Sequence, residues 1–269
     1  MATLVTDQGI VHYEVYGRGR PVLLLHGWLN SWAVWRDTIP LLGRDFRMYA
    51  IDFLGFGDSG DQSGNFSVTN FVTMVETFMD RMGIAKAPLV GHSMGGTVSL
   101  SAALRTPERV VKVIVVGSPI QGSSLSPLLK MAASRTWISL GEKQPALYHV
   151  FQTGFRPFLR GYAYFMGRDG GQLGRMLTDD VSKLALAPFI ESITTLRETD
   201  LRNSVSRLNM PVLGVYGKKD IIVDPKQAQV LKACLPSAKV AWFERSGHFP
   251  MMDEPERFHL TLRDFLQNG

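Results

Sequence analysis

The sequence predicts an α/β protein: a mostly parallel central sheet with helices on both faces and an inserted helical cap. Three observations predict it. Apolar, β-branched runs alternate with helix-patterned stretches, as in parallel strands buried on both faces. Each run meets a turn residue at its end. The alternation stops after Pro119, gives way to aromatic-rich helical sequence, and resumes at Pro211.

The elements follow in order. Ile10–Tyr16 alternates in period two and is expected as an antiparallel edge strand. Pro21–Leu25 runs into His26, Phe46–Ile51 into Asp52, Ala87–Val90 into Gly91, and Val111–Val116 into Gly117. Between them, helices are predicted over Ser31–Leu42, Thr69–Met82 and Met94–Leu104. The second places Phe71, Val72, Val75, Phe78, Met79 and Met82 along one stripe. The insert reads as helices broken at Gly141, Gly154, Gly161, Gly167 and Gly170-Gly171. A strand over Pro211–Tyr216, a helix over Pro225–Leu235 and a strand over Lys239–Phe243 follow. A last helix is predicted over Pro255–Leu266, with Asp253 as its N-cap. Residues 1–120 and 207–269 are thus expected to form the core domain, and residues 121–206 a cap over the C-terminal edge of its sheet.

Composition narrows the function classes. With 45% apolar and 20% charged residues over 269 positions, the chain can bury one substantial core without metals or disulfides. The single cysteine, Cys234, excludes an intramolecular disulfide and a cysteine-based metal site, and its helical context marks it as a packed thiol. The net charge of +5 arises from scattered basic residues, so no nucleic-acid partner is expected. The N-terminus lacks a basic-then-apolar leader, and no stretch approaches the roughly 20 apolar residues of a membrane span. A cytoplasmic setting is expected, with no cofactor and no metal.

The chemistry centres on Gly91-His92-Ser93-Met94-Gly95, which matches G-x-S-x-G between a predicted strand and a predicted helix. Serine at so sharp a turn is strained, and glycines two positions either side remove side chains that would collide. The turn lifts the Ser93 hydroxyl above the sheet edge. It also puts the Met94 N–H at a helix N-terminus, where a developing oxyanion is stabilised. His26-Gly27-Trp28 follows the first central strand and is expected to face the elbow. The Trp28 N–H is the second candidate oxyanion donor, and its ring a candidate wall of the acyl pocket. His26 precedes the nucleophile and is expected to organise the loop.

Nucleophilic serines on such elbows take their partners in the chain order serine, acid, histidine. Downstream of Ser93 lie His149 in the insert, His259 inside the last helix, and His248 in a loop after a strand. His248 is therefore the candidate base. Asp220, just past a strand, is the candidate acid, and Asp224 before Pro225 is better explained as a helix start. Asp220 would hold the His248 tautomer and stabilise the imidazolium.

The His26-Gly27 loop, the Asp52–Ser59 loop, the elbow, the Gly217–Asp220 turn and Ser246-Gly247-His248-Phe249-Pro250 together closely resemble the α/β-hydrolase superfamily, in particular its small esterase and lipase-like members. That resemblance spans nearly the whole chain. It implies an α/β-hydrolase fold and hydrolysis of a small to medium apolar carboxylic ester through an acyl-enzyme on Ser93, with His248 and Asp220. Serine argues against the dehalogenases and epoxide hydrolases, which carry aspartate as nucleophile. His92 departs from the asparagine usual before the serine in carbon–carbon bond hydrolases, and from the phenylalanine of haloperoxidase-like members. Perhydrolysis and carbon–carbon cleavage on the same triad are the alternatives, and a non-catalytic ligand-binding receptor is a remote one. In the cap, Phe151, Phe155, Phe158, Tyr162, Tyr164 and Phe165 are candidates for pocket lining or for plain packing. Arg156, Arg160, Arg168 and Arg175 are candidates for contact with an anionic membrane surface, or simple snorkelling arginines.

Overall fold

The computed structural model describes residues 2–127, 129 and 145–268. Among them the strands form one eight-stranded sheet in the order β1-β2-β4-β3-β5-β6-β7-β8. These are β1 (Ala2–Thr6), β2 (Gly9–Tyr16), β3 (Pro21–Leu25), β4 (Arg47–Ile51), β5 (Ala87–His92), β6 (Val110–Val116), β7 (Val212–Gly217) and β8 (Lys239–Phe243). β2 pairs antiparallel with β1 and β4, and every other pairing is parallel. Parallel pairing brings the C-terminal ends of β3, β5, β6, β7 and β8 to one edge, where the loops that follow them gather. The central strands are buried on both faces: Leu23, Leu24 and Leu25 have no exposed surface, nor do Val113 to Val116.

Four expectations are corrected. The Ile10–Tyr16 strand is β2, and it is not at the edge, because β1 turns back through Thr6–Gly9 and pairs with it, Leu4 opposite Val11. Ser31–Leu42 is not one helix but a 3-10 turn at Trp32–Trp35 and a short helix α1 (Thr38–Leu42). Pro40 lacks the N–H that would bond the Arg36 carbonyl in a continuous helix, and proline is tolerated only when the helix restarts just before it. By contrast α2 (Val68–Arg81) and α3 (Met94–Arg105) lie close to the expected spans, α2 being capped by Ser67 Oγ, which accepts the Asn70 N–H.

The third correction lies in the insert between β6 and β7. Among the described residues it holds three helices, Pro145–Met166, Gly170–Lys183 and Leu186–Glu198. Gly154 and Gly161 do not break the first of these, nor does Pro157. Both glycines face open space, while Leu159, Ala163 and Met166 form a buried stripe at helical spacing that outweighs the local breakers. The expected break at Gly167 is present, and Asp169 caps the next helix through Gln172 N. Gly141 lies outside the described residues. The ends of the insert meet: Gly122 N donates to Thr199 O at 2.8 Å and Leu201 N to Ile120 O at 2.9 Å.

Fourth, Asp253 does not cap the last helix (Pro255–Asn268). It ends a short helix, Pro250–Asp253, and its carboxylate turns inward to two distant amides described below. Cys234 is a free thiol, half-buried at the end of the Gln227–Cys234 helix and packed on the core. No helix among the described residues is long and apolar enough to cross a membrane.

Candidate active site

Ser93 sits between β5 and α3 with φ 50° and ψ −116°. A β-carbon there is costly, about 1–3 kcal/mol for such backbone geometry, and the surroundings hold it in place. Ser93 N donates to Val116 O on the neighbouring strand at 2.8 Å. A side chain on Gly91 would overlap the Gly95 backbone, so the elbow closes only with glycine at that position. Met94 opens α3, and first-turn amides have no carbonyl partner inside their own helix.

The loop after β3 packs directly on the elbow. A β-carbon at Gly27 would stand 3.0 Å from the Ser93 β-carbon and 2.8 Å from His92 Nδ1. Next to it, Leu29 shares with Ser93 a positive φ, 60°. Among the described residues no acceptor takes the Trp28 or the Met94 amide, so both N–H groups stay available beside Ser93. His26 organises this loop. Its Nε2 accepts the Phe53 N–H at 2.9 Å, so Nδ1 carries the proton and donates to Gly27 O at 2.7 Å. Complete burial pushes the His26 imidazole down, away from protonation. The Trp28 ring is held in place by the insert. Its Nε1–H donates to Phe189 O at 2.9 Å and its ring packs on Phe189, tying the loop to the insert.

His248 and Asp220 arrive at the same sheet edge from the loops after β8 and β7. His248 Nδ1–H donates to Asp220 Oδ2 at 2.7 Å, while Asp220 Oδ1 accepts the amides of Ile222 and Val223 at 2.8 and 3.0 Å. The carboxylate is thereby fixed on three donors, and the tautomer it selects leaves the Nε2 lone pair of His248 free. Gly117, at φ +54°, leaves room for the ring; a β-carbon there would stand 3.2 Å from His248 Nδ1. The other candidates lie elsewhere. Asp224 is exposed and accepts the Lys226 N–H in a local turn. His259 is buried against Thr38 Oγ1 at 3.0 Å. The side chain of His149 lies outside the described residues.

Sequence reasoning missed the frame around His248. Its amide donates to Met166 O at 3.1 Å, and its carbonyl accepts His92 Nε2–H at 2.9 Å. Asp253 accepts Gly247 N at 2.7 Å and Arg168 N at 2.6 Å, joining the histidine loop to the end of the first insert helix. Glu254 accepts Ser246 Oγ and Arg245 N. The available signal was two acidic residues placed six positions or fewer after a glycine-histidine turn. Local rules read them as a helix start.

Among the insert aromatics, Phe155 packs on Phe189 and stacks toward Phe158, and Phe158 stacks on Tyr162. Tyr164 and Phe165 face solvent, and the side chain of Phe151 lies outside the described residues. Arg156, Arg160, Arg168 and Arg175 are exposed. The ligand atoms of His12, Asp52 and Asp58 lie within 4.8 Å of one another. They are already committed: His12 Nδ1–H to Asp52, Asp58 N–H to Asp52, and Asp58 to Lys183 Nζ at 2.6 Å.

Comparison with known proteins agrees with this architecture. Residues 20–160 match the family model described as the alpha/beta hydrolase fold. The chain is 31% identical to a pimeloyl-[acyl-carrier protein] methyl ester esterase of Vibrio parahaemolyticus, over 96% of this chain and 98% of that one. In structure it is similar to an esterase from Exiguobacterium antarcticum (TM-score 0.82, 22% identity, 97% of each chain covered). It is equally similar to a bromoperoxidase from Bacillus anthracis (TM-score 0.82, 21% identity, 97% and 96% covered). Sequence, topology and elbow agree, and the chain belongs to the α/β-hydrolase family.

Proposed function

We propose that this chain is a serine esterase in which Ser93 is the nucleophile, His248 the base and Asp220 the acid. Residues 1–120 and 207–269 serve as its hydrolase core and residues 121–206 as its cap. The observation that carries the reading is the strained Ser93 elbow at the same sheet edge as a buried His248–Asp220 pair. Ser93 Oγ attacks the ester carbonyl as His248 Nε2 takes its proton. The Trp28 and Met94 amides hold the oxyanion. The alcohol leaves with the proton from His248, and water, activated by the same imidazole, then releases the acid. Asp220 stays ionised throughout and holds the ring.

The finer reading is the substrate. The Vibrio parahaemolyticus relative is named for a methyl ester on a carrier-bound pimeloyl chain, and its near full-length likeness supports a methyl ester of an acyl chain as the substrate class here. The test is hydrolysis of short and medium acyl p-nitrophenyl esters and of acyl methyl esters, free and carrier-bound. It is paired with labelling by a fluorophosphonate. Turnover and labelling at Ser93 are expected, with Ser93→Ala lowering kcat by about 10⁴-fold or more. No turnover together with no label at Ser93 overturns the esterase reading. Turnover of p-nitrophenyl esters alone overturns the methyl-ester reading.

A further inference from the structure

Building on the triad proposed above, we infer that His92, the residue before the nucleophile, is a positioning residue that sets the base against the elbow through a hydrogen bond from its Nε2–H to the His248 carbonyl. The geometry leaves it little other role. Its ring is fully buried, with its centroid 4.7 Å from that of His248 and 4.8 Å from that of Phe249. Among the described residues its other nitrogen, Nδ1, has no hydrogen-bond partner, and it lies so near Gly27 of the oxyanion loop that a β-carbon there would stand 2.8 Å from it. One side chain therefore touches the oxyanion loop, adjoins the nucleophile and holds the main chain of the base. The opposite end of the His248 residue is held by Met166 O, so the two bonds clamp the base between elbow and insert.

A carbonyl only accepts, so His92 Nε2 must carry the proton and Nδ1 the lone pair. Burial, with His248 and His26 as the facing imidazoles, pushes His92 well down from its ordinary range and keeps it neutral. A cation here would repel the imidazolium that His248 becomes during turnover.

The test compares His92→Phe, which keeps a ring and loses the donor, with His92→Gln, whose amide reaches as far as Nε2. Wild type and Ser93→Ala are run beside them, so that failure of the esterase reading shows first as an inactive wild type. In His92→Phe, kcat is expected to fall about tenfold to a hundredfold with KM within twofold, and fluorophosphonate labelling of Ser93 to slow by the same factor. His92→Gln recovers most of both. A folded His92→Phe with wild-type kcat and labelling overturns the inference, as does a His92→Gln no better than His92→Phe. Histidine ¹⁵N resonances of the unmodified protein decide independently of whether either variant folds. His92 is expected as the neutral Nε2–H tautomer from pH 5 to 9, and an Nδ1–H tautomer or titration in that range overturns the assignment.

Discussion

Two buried histidine–aspartate pairs in this molecule share one geometry and differ in everything around it. His248 Nδ1 meets Asp220 Oδ2 at 2.7 Å, and His12 Nδ1 meets Asp52 Oδ2 at the same distance. The His12 pair joins strand β2 to the loop after β4, where Asp52 also accepts the amides of Trp32 and Asp58. Glu14 lies 3.8 Å from His12 Nε2. Carboxylates thus flank both nitrogens of His12, and the Asp52 bond above all pushes its imidazole up toward the cation. Around His248, Asp220 is matched by rings, those of His92 and Phe249, and among the described residues no second carboxylate bonds the imidazole. The paired distance therefore does not mark a base. What separates the two pairs is their place: the His248 pair stands at the C-terminal sheet edge, where the Ser93 elbow also lies, and the His12 pair is tied into β2 and the loop after β4.

The largest expected effect breaks the two pairs apart. His248→Ala is expected to lower kcat by about 10⁴- to 10⁶-fold on a p-nitrophenyl ester, with little change in the urea midpoint. His12→Ala is expected to do the reverse: kcat within about threefold, and stability lower by roughly 3–5 kcal/mol, because Asp52 loses the partner of a buried charge. A His12→Ala protein that folds like wild type and loses activity as His248→Ala does would abolish the distinction.

A third buried carboxyl shows what an aspartate does here without a histidine. Asp180, on the second insert helix, accepts Ser31 Oγ at 2.7 Å, and among the described residues its other oxygen has no hydrogen-bond partner. Burial pushes it up to about 7, against the smaller effects of Ser31 and Lys183 and with those of Asp52 and Asp179. Its folded value lies above its unfolded value, so its contribution is fully present below about pH 4 and is lost as pH rises through about 7. Asp180→Asn is expected to match wild type near pH 4 and to be more stable at pH 8 by roughly 2–4 kcal/mol. Urea unfolding at the two pH values measures this, and equal stability at pH 8 contradicts the assigned burial cost.

Much of this was legible in the sequence, and the failures share a cause. β3, β5, β6 and β7 were readable because strands buried on both faces are largely apolar, β8 by its apolar run Val240–Phe243 although it lies at the sheet edge, and Ser93 because its glycines are demanded by local geometry. Breakers were over-read where packing intervened: Gly154 and Gly161 lie in one helix held by Leu159, Ala163 and Met166. Polar partners were missed where they are remote in sequence. His92 bonds a carbonyl 156 residues away, and Asp253 an amide 85 residues away. No pattern of spacing carries such a contact. The Asp253 reading fails in an instructive way, since N-cap chemistry and bracing of a loop use the same carboxylate lone pairs on the same kind of N–H donor.

That bracing gives the next effect in size. Asp253→Asn keeps the shape and leaves one oxygen to serve Gly247 N and Arg168 N, with an NH₂ facing the other amide. A loss of about 1–3 kcal/mol in stability is expected. Because Gly247 precedes His248, kcat is expected to fall by roughly tenfold. Arg257→Ala is the control: it contacts Glu254 from an exposed position and is expected to move stability by less than about 1 kcal/mol and kcat not at all. If both variants move kcat alike, the brace is not acting through the histidine loop.

The smallest effect belongs to the structural pair and tests its charge state directly. His12 has a folded value above the ordinary 6.5, because Asp52 bonds it and Asp58 and Glu14 add to the attraction. A raised folded value means stabilisation that is complete below the unfolded value and lost as pH climbs through the folded one. The urea midpoint of wild type is therefore expected to decline as pH rises above the ordinary imidazole range. His12→Gln, which keeps a donor for Asp52 and cannot titrate, is expected to lack that decline. Combining it with Asp180→Asn separates the two slopes, since each substitution removes one titrating group from the profile. A His12→Gln variant with the wild-type slope would mean that the His12 imidazole is already neutral in the folded protein, and the charge assigned to this pair would fall.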